Sequence, residues 1–142
     1  MVKVACPNII GHLGRINKLN INNQFFSENE NWYRNIVHET LTAIERSEAI
    51  LEINTCAYFA QQNIHHLHGR WILNLIREMG IPIQVNSDAH RPIDLTKGFD
   101  PMYAVLSEIG FKEVKVMIDN YWQNLPINER HSKVFYRHHA AS

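Results

Sequence analysis

The segment Asn86-Ser87-Asp88-Ala89-His90-Arg91-Pro92 places a carboxylate and an imidazole two residues apart. In an extended chain, residues i and i+2 point to one side, about 6.5 to 7 Å apart. Asp88 and His90 spaced this way converge on one cation, or on two close ones. Oxygen and nitrogen donors together suit zinc, iron or manganese. The bland alternative makes Asp88 a turn cap and His90 a surface residue. A second histidine, His12, follows Gly11 at the end of another apolar run. Two histidines and an aspartate at strand ends favour the metal reading.

The elements that must position these residues alternate. Pro7-Asn8-Ile9-Ile10-Gly11 reads as a short buried strand. The Asn-rich stretch 17–26 reads as loop. Ser27 and Glu30 match a capping box, with Ser27 as N-cap and Glu30 reaching back. The helix after it puts Tyr33, Ile36, Val37, Leu41 and Ile44 on one face. Residues 49–54 make a second strand. A polar loop leads into a helix with a stripe of Leu67, Trp71, Ile72, Leu75, Ile76 and Met79, closed by Gly80 at C′. Residues 81–86 form the next strand, with Pro82 tolerated near its start. A helix over 101–109 ends at Gly110, and 113–118 is a last strand. Strand-helix alternation with short connections predicts an α/β fold of parallel strands covered by helices. Active sites of such folds gather at the carboxyl ends of the strands. Three ends carry polar groups that a core would not select: Gly11-His12 with Arg15 close behind, Glu52-Ile53-Asn54-Thr55, and the Asp88 segment. The stretch from Asp119 onward is polar with scattered aromatics and receives no assignment.

Bulk properties narrow the function. The 142 residues carry fourteen basic and fourteen acidic side chains, so no net field draws in nucleic acid or an acidic membrane surface. No apolar run reaches the ~20 residues of a membrane span, and no signal-peptide pattern opens the chain. Cys6 and Cys56 are the only cysteines and form no CxxC pair. That pattern predicts neither a disulfide scaffold nor a zinc knuckle, and it suits a reducing, cytoplasmic setting. Nine histidines are many for this length, but His38, His131, His138 and His139 sit in polar surroundings.

The order of "PNIIGHLGRI", "ILEINT", "IPIQVNSDAHRPIDLTKGF" and "LSEIGFKEV" resembles the later half of the PHP (polymerase and histidinol phosphatase) superfamily, nearest its histidinol-phosphatase branch. The resemblance spans about Pro7 to Val116, and SDAHRP with the Gly-His strand end are its specific parts. It implies that residues 1–118 are the C-terminal part of a distorted (β/α)7 TIM-like barrel, with 119–142 as a tail of unknown structure. It also implies phosphate monoester hydrolysis in histidine biosynthesis, with a phosphorylated small molecule as substrate. Two or three divalent ions (zinc, manganese or iron) would be held among histidine and acid ligands. On this reading His12, Asp88 and His90 are metal ligands, and Asp88 also handles a proton. Arg15, Arg91 and Asn54 are candidates for phosphate or substrate contact. For Arg15, Arg70 and Arg91 taken singly, a plain surface role is the alternative, and for Asn54 it is backbone hydrogen bonding. Glu52 is expected to be a structural carboxylate.

Departures from the pattern carry equal weight. Relatives begin with a His-x-His strand, and none precedes His12. His66-Leu67-His68, after His65, falls on a loop entering a helix, where it reads as surface. Relatives also read Asn-Thr-Arg-Gly where this chain has Asn54-Thr55-Cys56-Ala57. The absent arginine would have been a bidentate phosphate clamp. The expectation is therefore a segment whose site is incomplete alone and whose turnover is slow or nil. An unpaired sheet edge would then meet either a complementary N-terminal half or a second copy. The alternatives are another PHP phosphoesterase, though no basic aromatic groove supports a nucleic-acid substrate, or a non-catalytic remnant that only binds.

Overall fold

The computed structural model describes residues 5–56 and 69–127. Its centre is a parallel three-stranded sheet in the order β1 (Ile9–Ile10), β2 (Ile50–Asn54), β3 (Ile83–Asn86). Every residue of β2 is buried, because it has a strand on each side and helices over its faces. A run as apolar as Ile50-Leu51-Glu52-Ile53 is what such a doubly covered strand requires. The register pairs Ile9 with Ile50, Leu51 with Ile83, and Asn54 with Asn86. The ends of β2 and β3 are thus level, and their polar residues emerge together.

Among the described residues three helices follow the expected alternation: α1 (Asn31–Glu45), α2 (Arg70–Glu78) and α3 (Phe99–Ile109). Leu41 and Ile44 of α1, Ile72 and Ile76 of α2, and Met102 and Leu106 of α3 pack with Leu51, Ile53 and Ile83 in one core. The apolar stripe of α1 is narrower than its pattern suggests. Tyr33, Leu41 and Ile44 are buried and Val37 partly so, but Ile36 is 54 % exposed. On α2, Leu73 is buried as well as Ile72 and Ile76, whereas Leu67 lies outside the described residues.

Helix ends show where local chemistry decides. Gly80 adopts φ +67 after α2. Its N–H donates to the Arg77 carbonyl and that of Ile81 to Ile76, the paired bonds of a Schellman motif. Gly110 closes α3 the same way, at φ +101, with Phe111 donating to the Leu106 carbonyl. The capping box is displaced. Glu30 Oε1 does accept the Ser27 N–H at 2.7 Å, but Ser27 Oγ accepts from Asn29, and α1 begins only at Asn31. The box closes a turn before the helix, because the Ser27 carbonyl is already taken by the Glu30 N–H.

The last strand corrects an expectation. β4 (Glu113–Ile118) does not extend the parallel sheet; it pairs antiparallel with β5 (Tyr121–Pro126), from Glu113↔Pro126 to Ile118↔Tyr121. Asp119 and Asn120 turn the chain at φ +50 and +64. Two consecutive left-handed residues make the tight hairpin whose twist matches antiparallel strands, and Asp and Asn tolerate it best. Part of the unassigned stretch after Asp119 is therefore strand. Among the described residues no closed barrel forms, and no helix is long and apolar enough to cross a membrane.

Candidate functional site at the strand ends

Glu52 sits at the middle of the polar edge. Its side chain projects from β2 beside Gly11, where an added Cβ would lie 3.2 Å from Glu52 Oε2. The carboxylate is 8 % exposed, so it needs donors, and it has them. Oε2 accepts the backbone N–H of His12 at 2.8 Å, and Oε1 accepts Asn86 Nδ2 at 2.7 Å. Glu52 thereby links the ends of all three strands. This is the structural carboxylate expected of it.

His12 stands just past β1 at φ +57, in the left-handed region. Its side chain is half-exposed. The ring Nδ1 lies 3.5 Å from Glu52 Oε2 and 3.3 Å from Asn54 Nδ2. Asn54 shares the strand face of Glu52, as alternation requires, and its Nδ2 is 3.5 Å from Glu52 Oε2. Its Oδ1 accepts the Cys56 N–H at 2.9 Å. Both ends of the Asn54 amide are engaged within the protein, which fits the hydrogen-bonding alternative.

Asp88 and His90 line a shallow pocket of about 200 Å³ with Cys56, Ser87, Asp94 and Lys97. The premise that placed them on one side of an extended chain does not hold. β3 ends at Asn86, and Asp88 adopts φ +49. The bend turns the His90 ring back, so that its Nδ1 lies 2.8 Å from the Asp88 carbonyl oxygen. The two side chains share a pocket through a turn rather than through strand alternation.

The arginines divide. Arg15 is exposed on the 3₁₀ turn Arg15–Leu19. Arg70 pairs with Glu108 of α3 at 3.2 Å. Arg91 Nε donates to Asp94 Oδ2 at 2.8 Å, a bond that holds the Asp94 carboxyl below its ordinary range and raises the Arg91 guanidinium. Cys56, where the resemblance expects an arginine, lines the pocket.

Two further residues escaped the sequence reading. Thr55, fully buried, donates from Oγ1 to the Lys97 carbonyl at 2.6 Å, and Ser87 donates from Oγ to the Leu95 carbonyl at 2.7 Å. Together they hold the 91–98 segment over the strand ends. A small hydroxyl residue directly after each strand, in Asn54-Thr55 and Asn86-Ser87, was the signal.

Asp88 and His90 share the pocket after β3, and His12 does not line it. Among the described residues no three histidine, cysteine, aspartate or glutamate side chains converge on a common point. These residues alone do not form a complete cage for a metal ion. His65, His66 and His68 lie outside the described residues. No protein-family model matches the chain, and no curated protein matches it.

Proposed function

We propose that this chain contributes part of the site of a metal-dependent phosphomonoesterase of the PHP, histidinol-phosphatase type. Its three parallel strands would belong to the C-terminal part of a distorted (β/α)7 barrel. The observation that carries the reading is the Glu52 network, which ties His12, Asn54 and Asn86 together at the carboxyl ends of those strands. In parallel α/β folds that edge is where chemistry is built.

The chain's own residues have separable tasks. His12 Nδ1 faces Asn54 and Glu52, which leaves Nε2 as the nitrogen for a ligand. Asp88, half-buried in the pocket, would hold a proton or a cation, with His90 beside it. Arg15 and Arg91 are the guanidiniums near enough in sequence to these strand ends to orient a phosphate. A bound divalent ion would supply a water acidified toward about pH 7 and a clamp on phosphoryl oxygens. Completing its coordination needs donors beyond His12, Asp88 and His90, which a complementary half or a second copy would supply. A cytoplasmic setting and a phosphorylated small-molecule substrate belong to the same proposal.

A second reading makes the chain a binding module without catalysis. The cysteine at position 56 and the lack of a three-donor group among the described residues favour it. Steady-state hydrolysis of histidinol phosphate by protein loaded with zinc or manganese separates the two. The phosphatase reading expects slow turnover that both His12→Ala and Asp88→Ala abolish. Turnover indifferent to both substitutions rejects it, and metal binding without turnover favours the binding module.

A further inference from the structure

Away from the strand-end pocket, a larger cavity of about 400 Å³ opens between the 17–29 loop and the start of α2. That volume is in the range that takes a small molecule. Its wall is rich in side-chain amides, including Asn17, Asn22, Asn23 and Asn29, with Glu28 and Trp71 among them. An amide carries donors and an acceptor together, so such a wall recognises hydroxyl groups without selecting for charge. The formal charges on the wall also balance. Among the described residues that line it, Glu28 is the one carboxylate and Arg70 the one guanidinium, and Arg70 is engaged by Glu108.

The wall is ordered by specific bonds. Glu28 Oε1 accepts Asn17 Nδ2 at 2.9 Å, and Glu28 Oε2 accepts Trp71 Nε1 at 3.3 Å. Asn17 Nδ2 also reaches the Tyr33 hydroxyl at 2.9 Å. These bonds fix which way the Asn17 amide faces, since its oxygen cannot be turned toward a carboxylate. Asn17 is 5 % exposed, and its Oδ1 is the one buried side-chain atom without a hydrogen-bond partner among the described residues. That oxygen is closed to solvent, so it belongs to the support of the wall and not to its open face. A carboxylate accepts at about four positions, and the two donors to Glu28 leave capacity for ligand hydroxyls. Gly69 keeps the wall closed, because a Cβ there would lie 2.9 Å from Glu28 Oε2 and 2.8 Å from Trp71 Cδ1.

We propose that the cavity bounded by Asn17, Glu28 and Trp71 binds a neutral polyhydroxylated small molecule of about monosaccharide size. The proposal is independent of the phosphatase reading, since it uses neither His12 nor the 86–91 segment. The indole N–H signal of Trp71 in ¹⁵N NMR is the local probe, assigned by its loss in Trp71→Phe. Glucose, inositol and inorganic phosphate are titrated into the full chain. A saturable shift with glucose or inositol is expected, weakened about tenfold or more in Glu28→Gln, which loses a charged acceptor, and unchanged in His90→Ala. No shift of the wild-type signal with either polyol overturns the proposal. So does a shift given by phosphate alone, or a polyol shift that survives Glu28→Gln at full strength.

Discussion

The backbone N–H of His12 donates to Glu52 Oε2 at 2.8 Å, across the 40 residues that separate them in the chain. This bond fixes the end of β1, a strand of two residues, against β2. Replacing Glu52 by Ala leaves the His12 N–H and the Asn86 amide without their acceptor and opens space beside Gly11. The expected loss is about 2–4 kcal/mol in urea unfolding. Glu52→Gln keeps one carbonyl oxygen and should lose less than Glu52→Ala. Equal stability of wild type and Glu52→Ala would show that the network does not hold the strand ends.

Gly80 offers a cleaner test of backbone conformation. Nothing lies within 4 Å of a Cβ built at its φ of +67. Any destabilisation by Gly80→Ala therefore comes from the left-handed conformation, at about 1–2 kcal/mol. Gly80→Asn should be milder, since Asn visits that region more readily. Thermal melts of the two variants give the comparison, and a stabilised Gly80→Ala would mean that α2 does not end in a Schellman motif.

These two residues mark what the sequence made legible. Gly80 after an apolar stripe announces a helix end by local rules alone, and the buried run of β2 announces a covered parallel strand. Glu52 and Asn54 were readable as one strand face because alternation fixes which way they point, and His12 was readable as the residue just past an apolar run. What failed was geometry past the strand ends. Asp88 turns at φ +49, and a two-residue spacing cannot report whether the chain is extended or bent. The direction of β4 was hidden for a similar reason. Its partner begins after Asp119-Asn120, a turn whose signal lies in two residues inside a polar stretch. The Ile36 position shows the limit of periodicity, which marks a helix face but not how far its neighbours extend to cover it.

Alkaline pH should weaken the fold through Tyr103. Burial pushes this phenol up to about 12 from an ordinary value of 10.0, with Asp100 adding repulsion of the phenolate. Below pH 10 the tyrosine is protonated in both folded and unfolded chains, and its contribution is constant. Between pH 10 and about 12 the unfolded chain releases the proton first. It then binds fewer protons than the native chain, so stability falls as pH rises through that window. Tyr103→Phe should flatten this part of the stability curve, measured by denaturant unfolding at fixed ionic strength. A variant slope equal to that of wild type would assign the alkaline loss to other groups.

The 91–98 segment should open when its two hydroxyl anchors are removed. Thr55 Oγ1 bonds the Lys97 carbonyl and Ser87 Oγ the Leu95 carbonyl, and both donors are buried. Thr55→Val keeps the shape of the side chain and removes only the donor, and Ser87→Ala does nearly the same. Each lost bond should cost about 1 kcal/mol, more if the carbonyl stays buried. Much of that cost should appear as local opening, because the segment is short and its Ile93 is 85 % exposed. Trypsin reports the opening at one bond. The peptide after Arg91 precedes Pro92 and resists cleavage, whereas Lys97-Gly98 is cleavable once the segment lifts. The double variant should be cut after Lys97 faster than either single variant, under conditions where the rest of the fold stays intact by circular dichroism. Since Asp94 and Lys97 line the pocket that holds Asp88 and His90, the same variants should also weaken any cation held there. Cleavage after Lys97 at the wild-type rate would mean that the segment is held by the Arg91–Asp94 pair and its own 3₁₀ turn instead.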